Sequence, residues 1–352
     1  MQYHNIITKK KKILIVGSNG YIGSRLVQLM GDEYILRGID RNFFGNCTIG
    51  KTKKISLVEK CASKINKQDL KGVYALVFLA AFNNDPILDI STKAIYDNEL
   101  KYTLKAAKLC KKYKIKFIYP SSCSVYGFGK KVFNENSKLN PLTLYSKNKV
   151  NIEKKLKLIK TKNYKPIILR LGTVFGPSPR LRLDLVANMF AGMAICNKKI
   201  ELNSNGLSWR PHIFIDDVCK IILFFINCDF GVLENYIYNI GTDKNNIKTI
   251  ELAGLFKKKL KIKIKKLNLN NKLFLDKKVI NGVDKRSYVV SFLKINKIKN
   301  KRVTFTSLNS GLNLLIKFLK KNNFKPSMLN SKKYYRLQWY EYLIKSKGVK
   351  IC

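Results

Sequence analysis

The sequence predicts an α/β fold with a doubly wound parallel sheet and a smaller C-terminal α/β substrate lobe. Short apolar segments alternate with helical segments, at residues 12–16, 34–40, 73–81, 115–120 and 166–172. Such a succession of apolar strands and helices is typical of a parallel sheet that helices cover on both faces. After Gly176 the rhythm changes to a long helical segment and a strand that alternates Ile with Lys, which indicates a second lobe.

Composition narrows the class of protein. The 352 residues suffice for one large domain with an appended lobe. Lys and Arg number 69 against 22 Asp and Glu, a net charge of +47. The lysines are spread along the chain without interleaved aromatics, so we expect a solvated surface and no nucleic-acid partner. A positive field would still steer an anionic substrate towards the protein.

Membrane spans, secretion and metal binding are not expected. The longest apolar run, residues 221–228, is far shorter than the roughly 18 residues that a span requires. The basic, then apolar N-terminus leads directly into a glycine turn, which favours a first strand over a signal peptide. Eight scattered cysteines without a CxxC pair, and two histidines, predict no metal site and no disulfide framework. Reduced thiols and a cytoplasmic location are the expectation.

Three glycines, Gly17, Gly20 and Gly23, separate the first predicted strand from the first predicted helix. A turn of this kind lets the backbone approach a pyrophosphate, whose charge the helix N-terminus then stabilises. Asp40 ends the second strand, at the distance along the chain expected of a carboxylate that binds the adenosine ribose. The first half of the chain is therefore predicted to be a Rossmann-type domain that binds NAD, since Asp40 would repel the 2′-phosphate of NADP.

Tyr145 and Lys149 are spaced i and i+4, so they share one face of a predicted helix. A cation beside a phenol favours the phenolate, which can take a proton from an alcohol as hydride leaves the same carbon. A serine from the preceding strand end, within residues 120–127, could hold the reacting oxygen. The pair is weak evidence alone and gains weight from its order after the glycine turn and Asp40.

These residues together resemble the extended short-chain dehydrogenase/reductase family, the NAD-dependent nucleotide-sugar epimerases, dehydratases and reductases. The resemblance covers roughly residues 12–320 and rests on GSNGYIG, FLAA, SSCSVYG, YSKNK, LRLGTVFGP, WRPHIFIDDV and DKRSYVV, in that order. It implies the catalytic residues Ser122, Tyr145 and Lys149. It implies cofactor contacts at Gly17, Gly20, Tyr21, Ile22, Gly23, Asp40, Ala80, Ala81, Tyr145 and Lys149. It implies nucleotide-sugar contacts at Ser124, Thr173, Arg210 and Arg286.

Ser124 separates the activities found in the family. Two positions after the catalytic serine, dehydratases carry Glu, 3,5-epimerases carry Cys and 4-epimerases carry Ser or Thr. Ser124 therefore favours a 4-epimerase, and Cys123 lies one position too early to copy the 3,5-epimerases. A 4-ketosugar reductase and a dehydratase are the alternatives among enzymes. The alternative that is not an enzyme is a family member that binds RNA or a membrane through its basic surface.

Three features depart from the family pattern. Glu99 aligns with an expected Asn, Phe214 aligns with an expected His, and the acidic turn that usually meets adenine reads ISLVEK at residues 55–60. The predicted domains are residues 1–177 for the cofactor, with 211–245 returning to it, and 178–210 with 246–320 for the substrate. Residues 321–352 form a basic, aromatic extension. Within it, 332–347 is predicted to be a helix that docks its aromatics, with a membrane-surface helix as the alternative. The resemblance also implies a homodimer.

Overall fold

The structure is a computed structural model that describes residues 10–82, 92–229, 233–266, 279–280, 283–284, 286–298 and 304–349. Its strands are β1 (Lys12–Val16), β2 (Ile35–Asp40), β3 (Ser56–Glu59), β4 (Val73–Phe78), β5 (Lys116–Ser122), β6 (Phe128–Phe133), β7 (Ile167–Leu171), β8 (Thr173–Phe175), β9 (Lys199–Leu202), β10 (Trp209–Phe214), β11 (Ile237–Ile240), β12 (Asn246–Lys248), β13 (Lys263–Lys266), β14 (Val279–Ile280), β15 (Val283–Asp284) and β16 (Ser287–Val290). Its α-helices are α1 (Tyr21–Met30), α2 (Thr92–Lys112), α3 (Leu144–Ile159), α4 (Val186–Asn197), α5 (Ile215–Asn227), α6 (Thr249–Leu260), α7 (Leu293–Ile298), α8 (Leu308–Lys321), α9 (Pro326–Leu329) and α10 (Arg336–Lys347).

Seven strands form one sheet in the order β11-β7-β5-β4-β1-β2-β3, and every neighbouring pair is parallel. Helices α1 and α5 pack together, as do α2 and α3. The chain winds outwards in opposite directions from β1 and β4, which are neighbours in the sheet. The carboxyl ends of strands at such a reversal point are where ligands bind in open parallel sheets. The predicted Rossmann-type fold is confirmed.

Smaller sheets build the rest of the molecule. One joins β12, β10 and β8, and two-stranded pairs join β13 to β9 and β16 to β6. Helix α4 packs against α6, α8 and α9 beside them. β11, the last strand of the large sheet, comes from the segment 211–245, so the chain crosses between the two parts more than once. One cluster of buried apolar side chains runs through both parts, and a second cluster lies between the large sheet and helices α2 and α3.

The predicted elements differ from the observed ones in instructive ways. The strand predicted over 73–81 ends at Phe78. The helix predicted from residue 180 begins at Val186, because the preceding residues bond elsewhere: Leu183 N donates to Tyr334 O and Arg182 pairs with Asp184. The strand predicted over 261–266 is confirmed as β13, which pairs with β9 alone.

Cysteine chemistry departs from expectation at one position. Six cysteines of the described segments have free thiols, but Cys61 takes part in a disulfide bond, so the prediction of reduced cysteines is wrong there. Among the helices of the described ranges, none has the length and apolar character that crossing a membrane requires.

Candidate active site

A cavity of about 480 Å³ opens at the carboxyl ends of β1, β4, β5 and β7, between the large sheet and the smaller one. Thirteen of the residues predicted to bind or react line it: Gly17, Gly20, Tyr21, Ile22, Gly23, Ala81, Ser122, Ser124, Tyr145, Lys149, Thr173, Arg210 and Arg286. Asp40 and Ala80 do not. The fold therefore brings together residues that lie up to 269 positions apart in the chain (from Gly17 to Arg286).

The first turn of α3 carries Tyr145, and the next turn carries Lys149. Thr143 caps this helix, accepting a hydrogen bond from Ser146 N at 3.1 Å. The Lys149 ammonium lies 5.5 Å from the centroid of the Tyr145 ring. The helix thus sets the cation and the phenol side by side, as the i, i+4 spacing predicts.

Lys149 is held in place by two groups from other elements. Its Nζ donates to Tyr119 Oη at 2.9 Å and to Glu99 Oε1 at 3.2 Å. The other carboxylate oxygen of Glu99 accepts from Phe82 N at 3.2 Å. Burial would lower the pKa of Lys149, but Tyr119 and Glu99 outweigh it and raise the pKa above its ordinary value. The lysine therefore stays charged although it is almost fully buried.

The serines of the loop after β5 have separate environments. Ser121 donates to Glu153 at 2.6 Å, in a buried network that includes the Arg170–Glu153 ion pair. Ser122 Oγ accepts from Ser124 N at 3.1 Å and remains at the cavity. Ser124 Oγ is buried and has no hydrogen-bond partner within the described segments. Ser121 is thus structural, whereas Ser122 and Ser124 are both among the residues that line the cavity.

The glycine turn has the shape that a dinucleotide requires. Gly17 has φ +89°, and a Cβ there would lie 2.6 Å from Ala80 N. A Cβ at Gly23 would collide with Gly17 O, so both positions require glycine. Gly20 precedes α1 without a side-chain cap, which leaves the first turn of the helix open towards the cavity. This cradle fits the pyrophosphate of NAD.

Tyr21 is among the residues that line the cavity, and its hydroxyl bonds to other parts of the fold. Its hydroxyl donates to Gly176 O at 2.8 Å and accepts from Asn188 Nδ2 at 3.2 Å. Ile22, one residue on, also lines the cavity. The two hydrogen bonds of the Tyr21 hydroxyl hold α1 against the loop that follows β8 and against α4.

Asp40 lies at the end of β2, beside the glycine turn but outside the cavity wall. Its two oxygens accept from Asn19 N at 2.9 Å and from Asn42 N at 2.7 Å. Burial raises the pKa of this carboxyl group above its ordinary value. Helix α10 of the C-terminal segment packs over the loop that follows β2.

Two arginines and a threonine form the other end of the cavity. Thr173 begins β8 and Arg210 lies in β10, in the small sheet. Arg210 donates to Trp209 O at 2.7 Å and to Arg286 O, and its guanidinium lies 5.3 Å from the Tyr288 ring centroid. Arg286 lines the cavity next to it. This end of the cavity is therefore positively charged, as a site for a diphosphate requires.

Cys123 and His212 are not among the residues that line the cavity. Cys123 Sγ donates to Arg170 O at 3.2 Å, and burial raises the pKa of the thiol well above its ordinary value. His212 is buried in β10, where burial and then Arg210 lower its pKa to about 3. Both are packing residues, and no cluster of metal-ligating side chains exists in the parts of the chain that the structure describes.

Sequence reasoning did not assign a role to several residues near the cavity. Glu99 had a signal, because it replaces an expected Asn, but nothing in the sequence paired it with Lys149. Tyr119 had none, since it lies inside an apolar strand. Arg182 and Asp184 line the cavity as an ion pair at 2.9 Å, within a segment predicted to be helical.

Known proteins are similar to this chain in sequence and in fold. The model of the NAD dependent epimerase/dehydratase family matches residues 13–241. The dTDP-D-glucose 4,6-dehydratase of Dictyostelium discoideum is 28% identical over 66% of this chain, and the match spans only 58% of that enzyme's length. The ADP-L-glycero-D-manno-heptose-6-epimerase of Brachyspira hyodysenteriae is 26% identical over 64% of this chain and 78% of its own.

The fold agrees with a solved structure. A UDP-glucuronic acid 4-epimerase from Bacillus cereus, in complex with UDP-glucuronic acid and NAD, superposes with a TM-score of 0.71 at 21% identity, over 88% of this chain and 99% of that one. A likeness at this identity shows the fold alone. The family model, by contrast, matches more than half of the sequence. The chain belongs to the NAD dependent epimerase/dehydratase family, the enzymes of nucleotide-sugar epimerisation and dehydration that the glycine turn and the Tyr145–Lys149 pair predict.

Proposed function

We propose that this protein is a nucleotide-sugar 4-epimerase that oxidises its substrate transiently at C4. When bound, NAD supplies the hydride acceptor, and in its reduced form the donor. Tyr145 takes the proton of the 4-hydroxyl group and returns it after the sugar has turned its other face. Lys149 favours the ionised form of Tyr145, and Ser122 donates a hydrogen bond to the reacting oxygen. Tyr145 is thus the only group required to move a proton.

Binding of the nucleotide sugar is supported by the charge of the cavity. Arg210, in β10 of the small sheet, and Arg286 line the cavity, and their planar guanidinium groups match diphosphate oxygens. Thr173 and Ser124 line the same cavity. The B. cereus 4-epimerase, which shares the fold, was solved with UDP-glucuronic acid and NAD. We therefore expect a UDP-hexose or a related sugar nucleotide as the substrate.

The choice of 4-epimerisation depends on Ser124. Dehydration and 3,5-epimerisation remove a proton from carbon, for which a serine hydroxyl without a base is poorly suited. The nearest thiol, Cys123, is turned towards a carbonyl oxygen and has a raised pKa. The side chains of Ser122, Ser124 and Tyr145 at this cavity carry hydroxyl groups, and a 4-epimerisation requires only hydride transfer and the movement of one hydroxyl proton.

The experiment follows the fate of the sugar hydrogens. The enzyme is incubated with UDP-hexoses in D₂O, and products are analysed by NMR. We expect the 4-epimer, without deuterium on carbon and without a requirement for added NADH. Deuterium at C5 would overturn the proposal in favour of a dehydratase or 3,5-epimerase, with Asp85 as a candidate base that lies outside the described residues. Dependence on added NADH would overturn it in favour of a ketosugar reductase.

A dehydratase is the second candidate, because two acidic side chains do line the cavity. Asp184 and Glu201 are among its wall residues. Each is paired, Asp184 with Arg182 at 2.9 Å and Glu201 with Lys199 at 2.8 Å. A carboxylate held by a cation is a weaker base than a free one. Ser124→Glu would place a free carboxylate beside Ser122, and deuterium uptake at C5 only in that variant would support the assignment of Ser124.

A further inference from the structure

Exposed apolar side chains concentrate around strand β6. Among the described residues, twelve large apolar side chains are exposed. Five of these lie on β6 or on segments that contact it: Phe128, Val132, Leu142, Leu144 and Leu293. Phe128, which is 51% exposed, is the one phenylalanine among the twelve. Single exposed apolar residues are ordinary on a protein surface, but a group of them at one place marks a binding surface.

Backbone pairing brings Leu293 to the end of β6. Strand β6 pairs with β16 through Phe128, Val132 and Phe133. Ser291, which directly follows β16, donates from its backbone N to Phe133 O at 2.8 Å. Leu293 lies two residues further on, at the start of α7, and is 64% exposed. The apolar side chains of β6 and the first residue of α7 therefore belong to one surface.

The segment before α3 adjoins the other end of β6. A Cβ on Gly127 would lie 3.2 Å from Leu142 Cγ, so Leu142 contacts the residue that precedes Phe128. Leu144, two residues further on, begins α3. Leu142 and Leu144 are each 42% exposed. We call residues 127–133, 140–144 and 291–293 together the β6 surface.

The β6 surface is positively charged. Four exposed lysines lie within it or next to it: Lys130, Lys131, Lys138 and Lys147. The one acidic residue between positions 127 and 147 is Glu135. Its Oε1 accepts a hydrogen bond from Asn239 N at 2.8 Å, in the large sheet. The lysines are therefore not neutralised by a free carboxylate of their own segment.

The charge of β6 is against a second copy of the chain as the occupant. Within the described residues β6 pairs with β16 alone, so one edge of β6 is unpaired. An unpaired edge can bind a strand of another molecule. Lys130 and Lys131 disfavour pairing with β6 of a second copy, because like charges would then meet across the strands. Apolar side chains between lysines match instead a lipid surface, which offers acyl chains together with phosphates.

Helix α10, the other segment considered for a membrane contact, is held to the body of the protein. Trp339 and Tyr340 are each 8% exposed. Trp339 Nε1 donates to Phe43 O at 2.6 Å, in the loop after β2. Arg336 Nη2 donates to Arg180 O at 3.2 Å. The exposed apolar groups that a membrane would meet are therefore concentrated at the β6 surface.

We propose that the β6 surface docks the protein on an anionic phospholipid bilayer. Phe128, Leu142 and Leu144 enter the headgroup region, and the lysines contact the lipid phosphates. Leu144 directly precedes Tyr145, and β16 begins directly after Arg286. Tyr145 and Arg286 both line the cavity, so docking holds the active-site cavity close to the bilayer. This inference goes beyond the epimerisation proposed above and does not depend on it.

Flotation of the full-length protein with lipid vesicles tests the proposal. The vesicles contain phosphatidylcholine alone, or an equal mixture of phosphatidylcholine and phosphatidylglycerol. We expect binding to the mixed vesicles and much weaker binding to phosphatidylcholine alone. Lys130→Glu combined with Lys131→Glu should weaken binding to the mixed vesicles by about ten-fold or more. Phe128→Ser combined with Leu142→Ser should weaken it by about ten-fold, because two apolar anchors are lost.

Matched control variants separate the β6 surface from the general charge of the chain. Lys154→Glu combined with Lys155→Glu makes the same change of charge at two adjacent exposed lysines of α3. Leu158→Ser removes an apolar side chain that is 77% exposed on the same helix. Both controls should bind the mixed vesicles within about two-fold of wild type, since electrostatic attraction falls off within a Debye length. Equal losses in the two lysine variants would overturn the proposal, because adsorption would then follow the net charge of +47 alone.

Insertion itself is measured with Phe128→Trp, whose fluorescence brominated acyl chains quench on contact. We expect quenching by mixed vesicles that carry brominated lipid, and no quenching above wild type for Leu158→Trp. Absence of quenching at position 128 would overturn the proposal, as would dimers that form without lipid and are lost in Phe128→Ser with Leu142→Ser, since the β6 surface would then bind a second copy. Phe128→Trp keeps an aromatic ring at an exposed position, so it tests the proposal even if a double variant folds poorly.

Discussion

Lys149 Nζ lies 3.2 Å from Glu99 Oε1, and the two side chains are 2% and 0% exposed. The same ammonium lies 5.5 Å from the Tyr145 ring centroid. Glu99 and Tyr119 keep the pKa of Lys149 raised against the effect of burial. Glu99 is thus a positioning residue. It keeps Lys149 charged and in place, and the proposed general base, Tyr145, depends on that cation.

Replacing Glu99 should destabilise the fold strongly. Glu99→Gln leaves the buried Lys149 charge without its carboxylate, and breaking one side of a buried ion pair costs roughly 3–5 kcal/mol. Urea unfolding measures the change in the free energy of unfolding. Glu251→Gln is the matched control, because Glu251 is 47% exposed in a pair of 4.0 Å with Lys248; it should cost less than about 1 kcal/mol. Equal losses of unfolding free energy in the two variants would contradict the prediction that the Glu99–Lys149 pair stabilises the fold.

Local patterns in the sequence predicted the parts of the site that depend on local geometry. The glycine turn and the Tyr145–Lys149 spacing require only a strand, a turn and a helix, and the structure has these elements there. The Lys149–Glu99 bond joins residues 50 positions apart, and the Arg336–Arg180 bond joins residues 156 apart. Such pairs arise from tertiary packing, for which hydrophobic periodicity carries no signal.

Tyr145→Phe should lower kcat by about 10²-fold or more, because it removes the proposed acid–base group, whose contribution is typically about 10²–10⁴-fold. NAD affinity should stay near that of wild type, since the glycine turn is untouched. Ser122→Ala should cost less, because it removes one hydrogen bond. Steady-state kinetics and NAD titration are compared, with the exposed Tyr113→Phe as control. Near-normal turnover of Tyr145→Phe would exclude this tyrosine as the base.

Asp40→Ser should narrow the preference for NAD over NADP by about ten-fold, the equivalent of about 1.4 kcal/mol. The substitution removes the charge that repels a 2′-phosphate, while Ser can still accept a hydrogen bond from Asn19 N or Asn42 N. Arg41 directly follows position 40 in the chain, and its guanidinium lies 4.7 Å from the Phe43 ring centroid. Dissociation constants for both cofactors measure the ratio, and Asp32→Ser, an exposed site, is the control. If the wild-type protein binds NAD and NADP equally well, the prediction that Asp40 binds the ribose is wrong.

His212 predicts how the stability of the fold depends on pH. The imidazole is 1% exposed, its Nδ1 has no partner in the described part of the chain, and its ring packs edge-on to Phe175 at 6.1 Å.

Burial lowers the pKa of His212 in the folded protein to about 3, whereas an unfolded histidine titrates near its ordinary value of about 6.5. As the pH falls through 6.5, the unfolded chain therefore binds a proton that the folded protein does not. The stability due to the neutral ring is complete above that pH and declines by about 1.4 kcal/mol per pH unit on the way down to pH 3.

Wild type should accordingly lose about 2 kcal/mol more than His212→Gln between pH 7 and pH 5, a range above the titration of most carboxylates. Urea unfolding at the two pH values gives the difference. Lys345→Gln, which changes an exposed side chain and leaves His212 in place, should follow wild type. Parallel losses in wild type and His212→Gln would mean that the folded protein admits the proton, and hence that β10 opens or rearranges around the ring before the molecule unfolds.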